Sequence, residues 1–211
     1  MRHPERRLTR IPSAALSDAL GRLGTMSAAI KPMTSARRLT GTARTVRCVP
    51  GDYLTLLKGL AEAQEGEVLV VDGGGMMEAA LVGKIMAVEA RRKGVAGFVV
   101  DGVVRDLVGL EDSGIPVFAR GATPRPGSAE QLLETQVPII CGGAPVKPGD
   151  LVHGDEDGVV VVPAKRFREV VARALEVQRH DTEVERKIRR GRPLAEVTKL
   201  LERLVEVRRR G

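Results

Sequence analysis

The residues best suited to chemistry lie together at the end of one strand-like run. The apolar stretch from Gly97 leads through Asp101 to Arg105 and Asp106. Adjacent side chains of a continuing strand point to opposite faces, so we expect the chain to turn here and present both groups at the strand's carboxyl end, where open α/β layers bind ligands. Arg105 has a planar guanidinium that matches a carboxylate, and Asp106 has a hard oxygen suited to Mg²⁺. An ordinary surface ion pair or turn cap is the alternative, and the residues alone leave both open.

A glycine-rich stretch provides a second candidate site. Gly73, Gly74 and Gly75 follow the apolar run 67–72, and backbone N–H groups of such a loop and of the helix after it can hold a carboxylate-sized anion. The spacing matches neither a phosphate-binding Walker A loop nor a dinucleotide fingerprint, and simple chain reversal is the alternative. The following helix begins at Met77 or at Gly83, and a start at Gly83 makes 83–86 a further candidate anion site.

The surrounding elements predict an α/β fold that brings these stretches to one crevice. Strand 67–72, the helix that ends near Gly94 and strand 95–101 form a strand–helix–strand unit, so both loops lie at strand carboxyl ends. Hydrophobic periodicity predicts further elements along the rest of the chain. These are helices over 11–24, 52–64 and 164–190, strands over 41–50, 115–119 and 137–141, and a hairpin over 148–163 with its turn at 155–158.

Composition favours one domain with a core of small side chains. The chain has 211 residues, three Phe, one Tyr and no Trp. Its two cysteines, Cys48 and Cys141, lack metal-type spacing, and we expect buried, reduced thiols. No apolar run reaches bilayer length, and residues 1–9 lack the apolar region of a signal peptide, so we expect a cytoplasmic protein that does not enter the membrane.

The positive charge is concentrated at the C-terminus. Residues 186–211 contain ten Lys/Arg and three Glu, which accounts for the whole net charge of +7, and the rest of the chain is neutral. No aromatic residues are interleaved with these cations, which favours a solvated helix face over a nucleic-acid site and leaves RNA binding as the alternative. After a break at 191–193, apolar residues recur at heptad-like spacing, which predicts a basic helix that contacts another protomer. We therefore divide the chain into a domain over 1–190 and an extension over 191–211.

Several motifs, in this order and spacing, resemble the RraA-like family over about residues 11–190. They are Gly73–Gly75, Ala80–Gly83, Gly94–Gly97, Asp101–Asp106, Pro116–Phe118 and 148–159. That family contains class II pyruvate aldolases acting on 4-hydroxy-4-methyl-2-oxoglutarate and the regulator of ribonuclease E activity. The resemblance implies a layered β/β/α fold of the swivelling-domain type, assembled as a homotrimer or a hexamer, with active sites between subunits.

The resemblance also implies roles for individual residues. In the aldolases, the residue matching Arg105 holds the substrate carboxylate and carbonyl, and the one matching Asp106 holds Mg²⁺ or Mn²⁺. Backbone amides matching Ile85 and Met86 complete the carboxylate site, to which we add Gly83, Lys84, Gly74 and Gly75 as substrate-binding candidates. An acid from the C-terminal helix of a neighbouring subunit falls near Asp181 or Glu183. The implied activity is metal-dependent carbon–carbon cleavage of a small 2-oxo acid, by aldol cleavage or oxaloacetate decarboxylation through a pyruvate enolate. The alternative is a non-catalytic regulator that binds ribonuclease E or RNA-processing partners.

One position departs from the aldolase pattern. The aldolases have an aspartate where this chain has Lys84. A lysine removes an acceptor from the metal's surroundings and places a cation near it, which weakens metal binding through charge repulsion unless the side chain points to solvent.

Overall fold

A mixed seven-stranded sheet forms the centre of the molecule. The computed structural model describes residues 10–210, without the side chains of residues 201, 203, 205 and 210. The strands lie in the order β1-β5-β4-β3-β2-β8-β9, with β2, β3, β4 and β5 parallel to one another and β1, β8 and β9 antiparallel to their neighbours. Their bounds are β1 Lys31–Pro32, β2 Leu39–Arg47, β3 Glu67–Val82, β4 Gly97–Val104, β5 Val117–Ala122, β8 Leu151–Gly154 and β9 Val159–Val162; a separate hairpin contains β6 Ile139–Cys141 and β7 Ala144–Val146.

The helices flank this sheet and extend beyond it at the C-terminus. They are α1 Ser13–Ala19, α2 Leu54–Glu62, α3 Lys84–Arg92, α4 Leu107–Ser113, α5 Phe167–Arg189, α6 Leu194–Val197 and α7 Leu200–Arg210, with a 3₁₀ turn at Ala164–Arg166. No described helix is both long and apolar enough to cross a bilayer. The expectation about a signal peptide concerns residues 1–9, which lie outside the described part of the chain.

The core is layered because the central strands are buried on both faces. Successive side chains of a strand alternate between faces. Leu69 and Val71 therefore pack with α2 and α3, whereas Val68 and Val70 pack against the β6–β7 hairpin and β9. A third cluster joins α1 and the first half of α5 to β8 and β9. Helices thus cover one face of the sheet and strands the other, which confirms the predicted β/β/α layers.

The glycine-rich stretch is the main difference from the predicted elements. The expected loop at 73–75 and a helix from Met77 are wrong, because β3 continues through the glycines to Val82 and the helix begins at Lys84. The stretch from Asp72 to Val82 lies opposite only Asp101 to Val104, with repeated register shifts. The surplus residues bulge out of the sheet, and the left-handed Gly74 and Gly75 (φ 66° and 71°) let the backbone fold back into the strand.

The C-terminal half of the long helix leaves the body of the protein. Buried residues of α5 are confined to Val170, Val171 and Ala174, near its start. Beyond them α5 is mainly exposed, and so are Leu194 in α6 and Leu200, Leu204 and Val207 in α7. The break predicted at 191–193 is present between α5 and α6. Both cysteines are buried and free, as expected.

Candidate functional site

Arg105 and Asp106 lie together at the carboxyl end of β4. The Arg105 N–H donates to the Val82 carbonyl at 2.9 Å, so the residue after the end of β4 is still hydrogen-bonded to β3. Asp106 then adopts the left-handed conformation (φ 59°, ψ 46°) and is the N-cap of α4. This reversal turns both side chains to the same side, with Arg105 Nε 3.6 Å from Asp106 Oδ2. The predicted turn and its pair of charges are therefore present in the structure.

Gly83 lets the start of α3 approach this pair. A Cβ atom on Gly83 would lie 2.8 Å from Asp106 Oδ2 and 3.2 Å from Arg105 Nε, so any other residue there would push these two side chains from their positions. The Lys84 N–H donates to Asp106 Oδ2 at 3.3 Å. The first N–H groups of a helix have no partner within the helix and attract negative charge. The start of α3 and Arg105 thus together form an electropositive corner.

A cavity of about 290 Å³ opens at this corner. Arg105 and Asp106 supply its charged side chains, and α2, α3 and β3 supply apolar ones. The lining contains Gly83, Ile85 and Met86, three of the predicted substrate-binding residues. It also contains residues that sequence reasoning missed, namely Tyr53, Leu57, Ala80, Leu81 and Val82. Tyr53 is the only tyrosine in the sequence, and this rarity was the one sequence signal that could have marked it as a candidate site residue.

Buried Asp52 fixes the backbone next to Tyr53, which lines the cavity. Its Oδ2 accepts the Ser128 hydroxyl and the Glu130 N–H, each at 2.7 Å. The Tyr53 N–H donates to the Ser128 carbonyl at 2.8 Å. Burial alone would raise the pKa of Asp52, but the hydrogen bonds donated by Glu130, Leu54 and Ser128 outweigh it and hold the pKa below its usual value. A carboxylate that stays charged therefore fixes the start of α2 beside the cavity.

Lys84 contributes its backbone to the site, while its side chain runs elsewhere. A Cβ on Gly109 in α4 would lie 2.6–2.8 Å from Cδ, Cγ and Cβ of Lys84, so the lysine stem crosses α4 at that glycine. Lys84 is exposed and does not line the cavity. Of the two placements left open by the sequence, the Lys84 stem takes the one over α4, outside the lining of the cavity.

Other predicted site residues lie away from the cavity. Gly74 packs against Pro50, and Gly75 lies beside the guanidinium of Arg120. Asp181 and Glu183 are on the protruding part of α5, where Glu183 pairs with Arg186 at 2.7 Å. The structure therefore joins Arg105 and Asp106 to the start of α3, and does not bring the glycine-rich bulge or the α5 acids to them within this chain.

The donor set suits a metal ion that keeps most of its water. Among the described residues, no group of three or more His, Cys, Asp and Glu could hold a metal. Both described contacts of the Asp106 carboxylate, with the Lys84 N–H and with Arg105, involve Oδ2. Mg²⁺ commonly uses one or two protein carboxylates and several waters. The single carboxylate present therefore fits a hydrated divalent ion and does not form a complete protein cage.

Comparison with known proteins agrees with this architecture. The family model "RraA-like: Aldolase/RraA" matches residues 13–161, which include every strand of the sheet except the last residue of β9. The chain belongs to the RraA-like family. The resemblance inferred from the motifs is thereby confirmed.

Relatives within the RraA-like family have more than one described role. A protein of Halalkalibacterium halodurans named "Putative 4-hydroxy-4-methyl-2-oxoglutarate aldolase" is 39% identical over 84% of this chain and 85% of its own. The structure of an uncharacterized protein from Pseudomonas syringae pv. tomato superposes with a TM-score of 0.82, at 30% identity over 94% of this chain and 98% of its own. Streptomyces coelicolor RraAS2, described as an unusual member of the RNase ES inhibitor RraA family, gives a TM-score of 0.80, at 31% identity over 89% and 98%.

Proposed function

We propose that this protein is a divalent-metal-dependent carbon–carbon lyase that acts on a small 2-oxo acid in the cytoplasm. The observation that carries the proposal is the cavity in which Arg105, Asp106 and the start of α3 converge. Its volume of about 290 Å³ suits a small molecule. The reactions proposed are aldol cleavage of 4-hydroxy-4-methyl-2-oxoglutarate and decarboxylation of oxaloacetate, both of which release pyruvate.

Each part of the corner has a role in this chemistry. Arg105 binds the substrate carboxylate through two N–H groups, and the free N–H groups of Ile85 and Met86 at the start of α3 add to that attraction. Asp106 holds Mg²⁺ or Mn²⁺, which supplies Lewis-acid stabilisation of negative charge on the 2-oxo oxygen. Arg105 also stabilises this charge as it develops, because its guanidinium is already in place when the bond breaks.

Oxaloacetate decarboxylation provides a direct test of the metal and of Arg105. Pyruvate release is measured with Mg²⁺, with Mn²⁺ and with chelator, after subtraction of the metal-only reaction. We expect metal-dependent turnover that Arg105→Ala lowers by about 100-fold or more, since it removes an electrostatic contact to the reacting groups. Arg91→Ala, exposed on the last turn of α3, removes the same charge outside the cavity and should retain activity. Turnover that is independent of metal or unaffected by Arg105→Ala would contradict the proposal.

An exposed apolar surface beside the cavity favours a second candidate, a regulator that binds ribonuclease E or another RNA-processing partner by protein contact. Ile85 and Val108 are 79% and 77% exposed, and Val88 and Leu107 extend the patch across α3 and α4. Contiguous apolar surface of this kind commonly binds proteins. Under this candidate, capture of the partner survives Asp106→Asn and is lost in Val108→Glu. Loss of capture in both variants, or in neither, would count against it.

Under the lyase proposal, the same patch would instead support assembly of the protein with itself. We propose a homotrimer or hexamer in which the patch is covered, with Asp181 or Glu183 of α5 approaching a neighbouring site. We further propose that the extension over 191–211 adds a contact between protomers. Truncation after Arg190 should reduce the oligomer mass measured by light scattering, and an unchanged mass would refute the role of the extension.

A further inference from the structure

Tyr53 lies at the start of α2 and lines the cavity together with Arg105 and Asp106. Its ring packs against the core cluster between the sheet and helices α2 and α3, which restricts the side chain to this wall of the cavity. Its backbone is fixed as well, because its N–H donates to the Ser128 carbonyl at 2.8 Å. All of these groups belong to one chain, so their arrangement does not require a neighbouring protomer.

The proposed reactions need a proton donor for C3 of the pyruvate enolate. When the C3–C4 bond of oxaloacetate breaks, carbon dioxide leaves and the electron pair of that bond remains on the enolate, which becomes pyruvate only when C3 takes up a proton. Arginine side chains keep their proton in proteins, and a carboxylate that binds a metal ion has none to give. Tyr53, by contrast, brings a hydroxyl into the lining of the same cavity.

We propose that Tyr53 is a catalytic residue whose hydroxyl gives its proton to C3 of the enolate. This inference rests on the proposed lyase function and adds a residue to it. The Tyr53 O–H bond breaks as the C3–H bond forms, the enolate oxygen becomes the 2-oxo group of pyruvate, and the phenolate regains a proton from water. Ligand cavities enclose most of a small ligand's surface, so a substrate whose carboxylate is bound at Arg105 also contacts the wall from α2.

Removal of one oxygen atom separates protonation from bond cleavage. Tyr53→Phe keeps the ring and should slow the exchange of pyruvate methyl protons for deuterium, followed by NMR in D₂O with Mg²⁺, by about 100-fold or more. Consumption of oxaloacetate should fall by less than about tenfold, because the enolate can leave and be protonated by water. Equal losses in the two reactions, or no loss of exchange, would overturn the inference.

An acid of a neighbouring protomer is the competing proton donor. The assembly proposed above brings Asp181 or Glu183 near the site, and Asp181→Asn and Glu183→Gln remove these carboxyl groups in the assembled protein. Tyr53→Phe should lower the ratio of exchange to oxaloacetate consumption by about tenfold or more, whereas both acid variants should keep this ratio within about threefold, whatever they do to the two rates. A ratio that falls in an acid variant and is unchanged in Tyr53→Phe would assign the proton to the acid and overturn the inference.

The contact between Tyr53 and the substrate can be observed directly, because Tyr53 is the only tyrosine in the sequence. Protein made with 3-fluorotyrosine therefore has its ¹⁹F label at this residue alone, beside the hydroxyl. Oxalate, a planar dianion that resembles the pyruvate enolate, should shift the ¹⁹F resonance in the presence of Mg²⁺, and should leave it unshifted in Arg105→Ala. An unshifted resonance in protein that binds oxalate by calorimetry would overturn the inference.

The outcomes separate this inference from the function on which it rests. If oxaloacetate decarboxylation requires metal and Arg105, but Tyr53→Phe leaves the ratio of exchange to consumption unchanged, Tyr53 is not the donor and the lyase proposal stands. If the unmodified protein neither consumes oxaloacetate above the metal-only reaction nor exchanges pyruvate protons, both are refuted.

Discussion

Replacing Asp52 by asparagine tests how much stability comes from the carboxylate that joins the start of α2 to residues 128–131. Asp52 is 1% exposed, and its Oδ1 accepts the Leu54 N–H at 2.9 Å. Oδ2 accepts the Ser128 hydroxyl and the Glu130 N–H at 2.7 Å and the Gln131 N–H at 3.3 Å. All four partners are donors. An asparagine keeps the shape of the side chain but replaces one of the two carboxylate oxygens by an NH₂ group. The donors that faced that oxygen lose their acceptor, so at least one buried N–H is left unpaired.

The expected loss of stability follows from these contacts. Hydrogen bonds to a charged group contribute about 1.5–3 kcal/mol each, and a buried donor left unpaired costs about 1–3 kcal/mol. If the amide oxygen takes the place of Oδ2, three of the four donors keep an acceptor. We therefore expect Asp52→Asn to lower the free energy of unfolding by about 2–4 kcal/mol. For a chain of this size that corresponds to a fall in Tm of about 5–12 °C. Ser128→Ala, which removes one donor and leaves the charge, should cost about 1 kcal/mol.

The difference in stability between the unmodified protein and Asp52→Asn should depend on pH. The folded-state pKa of Asp52 lies below its usual value of 3.8, so its contribution to stability is complete above that value and is lost as the pH falls toward the folded pKa. Asparagine has no such loss. Urea unfolding followed by circular dichroism at pH 7, 5, 4 and 3 should therefore show a gap between the two proteins that narrows below about pH 4. A gap under about 1 kcal/mol at pH 7, or one that does not narrow in acid, would refute the reasoning.

Three further predictions concern single positions. Asp106→Asn should fold with a Tm within about 2 °C of the unmodified protein, because asparagine also adopts the left-handed conformation, and should lose metal-stimulated pyruvate release; a large fall in Tm would contradict this. Gly109→Ala should destabilise the protein by about 1–2 kcal/mol in urea unfolding, because its Cβ meets the Lys84 stem, and adding Lys84→Gly should recover most of that loss. Burial lowers the pKa of His153, whose Nδ1 is 2.9 Å from Thr40 Oγ1, so unfolding titrations should show stability falling as the pH drops below 6.5. His153→Gln should flatten that slope, and an unchanged slope would exclude His153 as its source.

Local sequence patterns were sufficient to locate the buried part of β3 and the charged pair. The apolar run Val68–Val71 has the pattern of a strand buried on both faces, and the structure shows it so. Arg105 and Asp106 were identifiable because their chemistry and the end of the apolar run are adjacent in sequence. Lys84 could be recognised from the sequence as a departure from the aldolase pattern. The direction of its side chain could not, because the stem lies over Gly109 and this contact exists only when α3 and α4 are packed together.

Two features required tertiary information. Three consecutive glycines normally mark a turn, yet pairing with β4 carries β3 past them to Val82, because the bulge leaves enough of the strand in register. Tyr53 and Leu57 belong to the cavity only because Asp52 and the loop it binds bring the start of α2 to the end of β4. Neither residue lies in a motif that suggests ligand binding.

The left-handed backbone of Asp106 limits which residues evolution can place there. Glutamate, the chemically nearest substitute, is not among the residues that adopt this conformation readily, whereas asparagine and glycine are. Both of the well-tolerated replacements remove the carboxylate while leaving the turn and the cavity in place. Under the proposed function, a descendant of such a chain would lose its metal ligand in one substitution that keeps the fold, which offers a short route from a lyase to a protein that only binds.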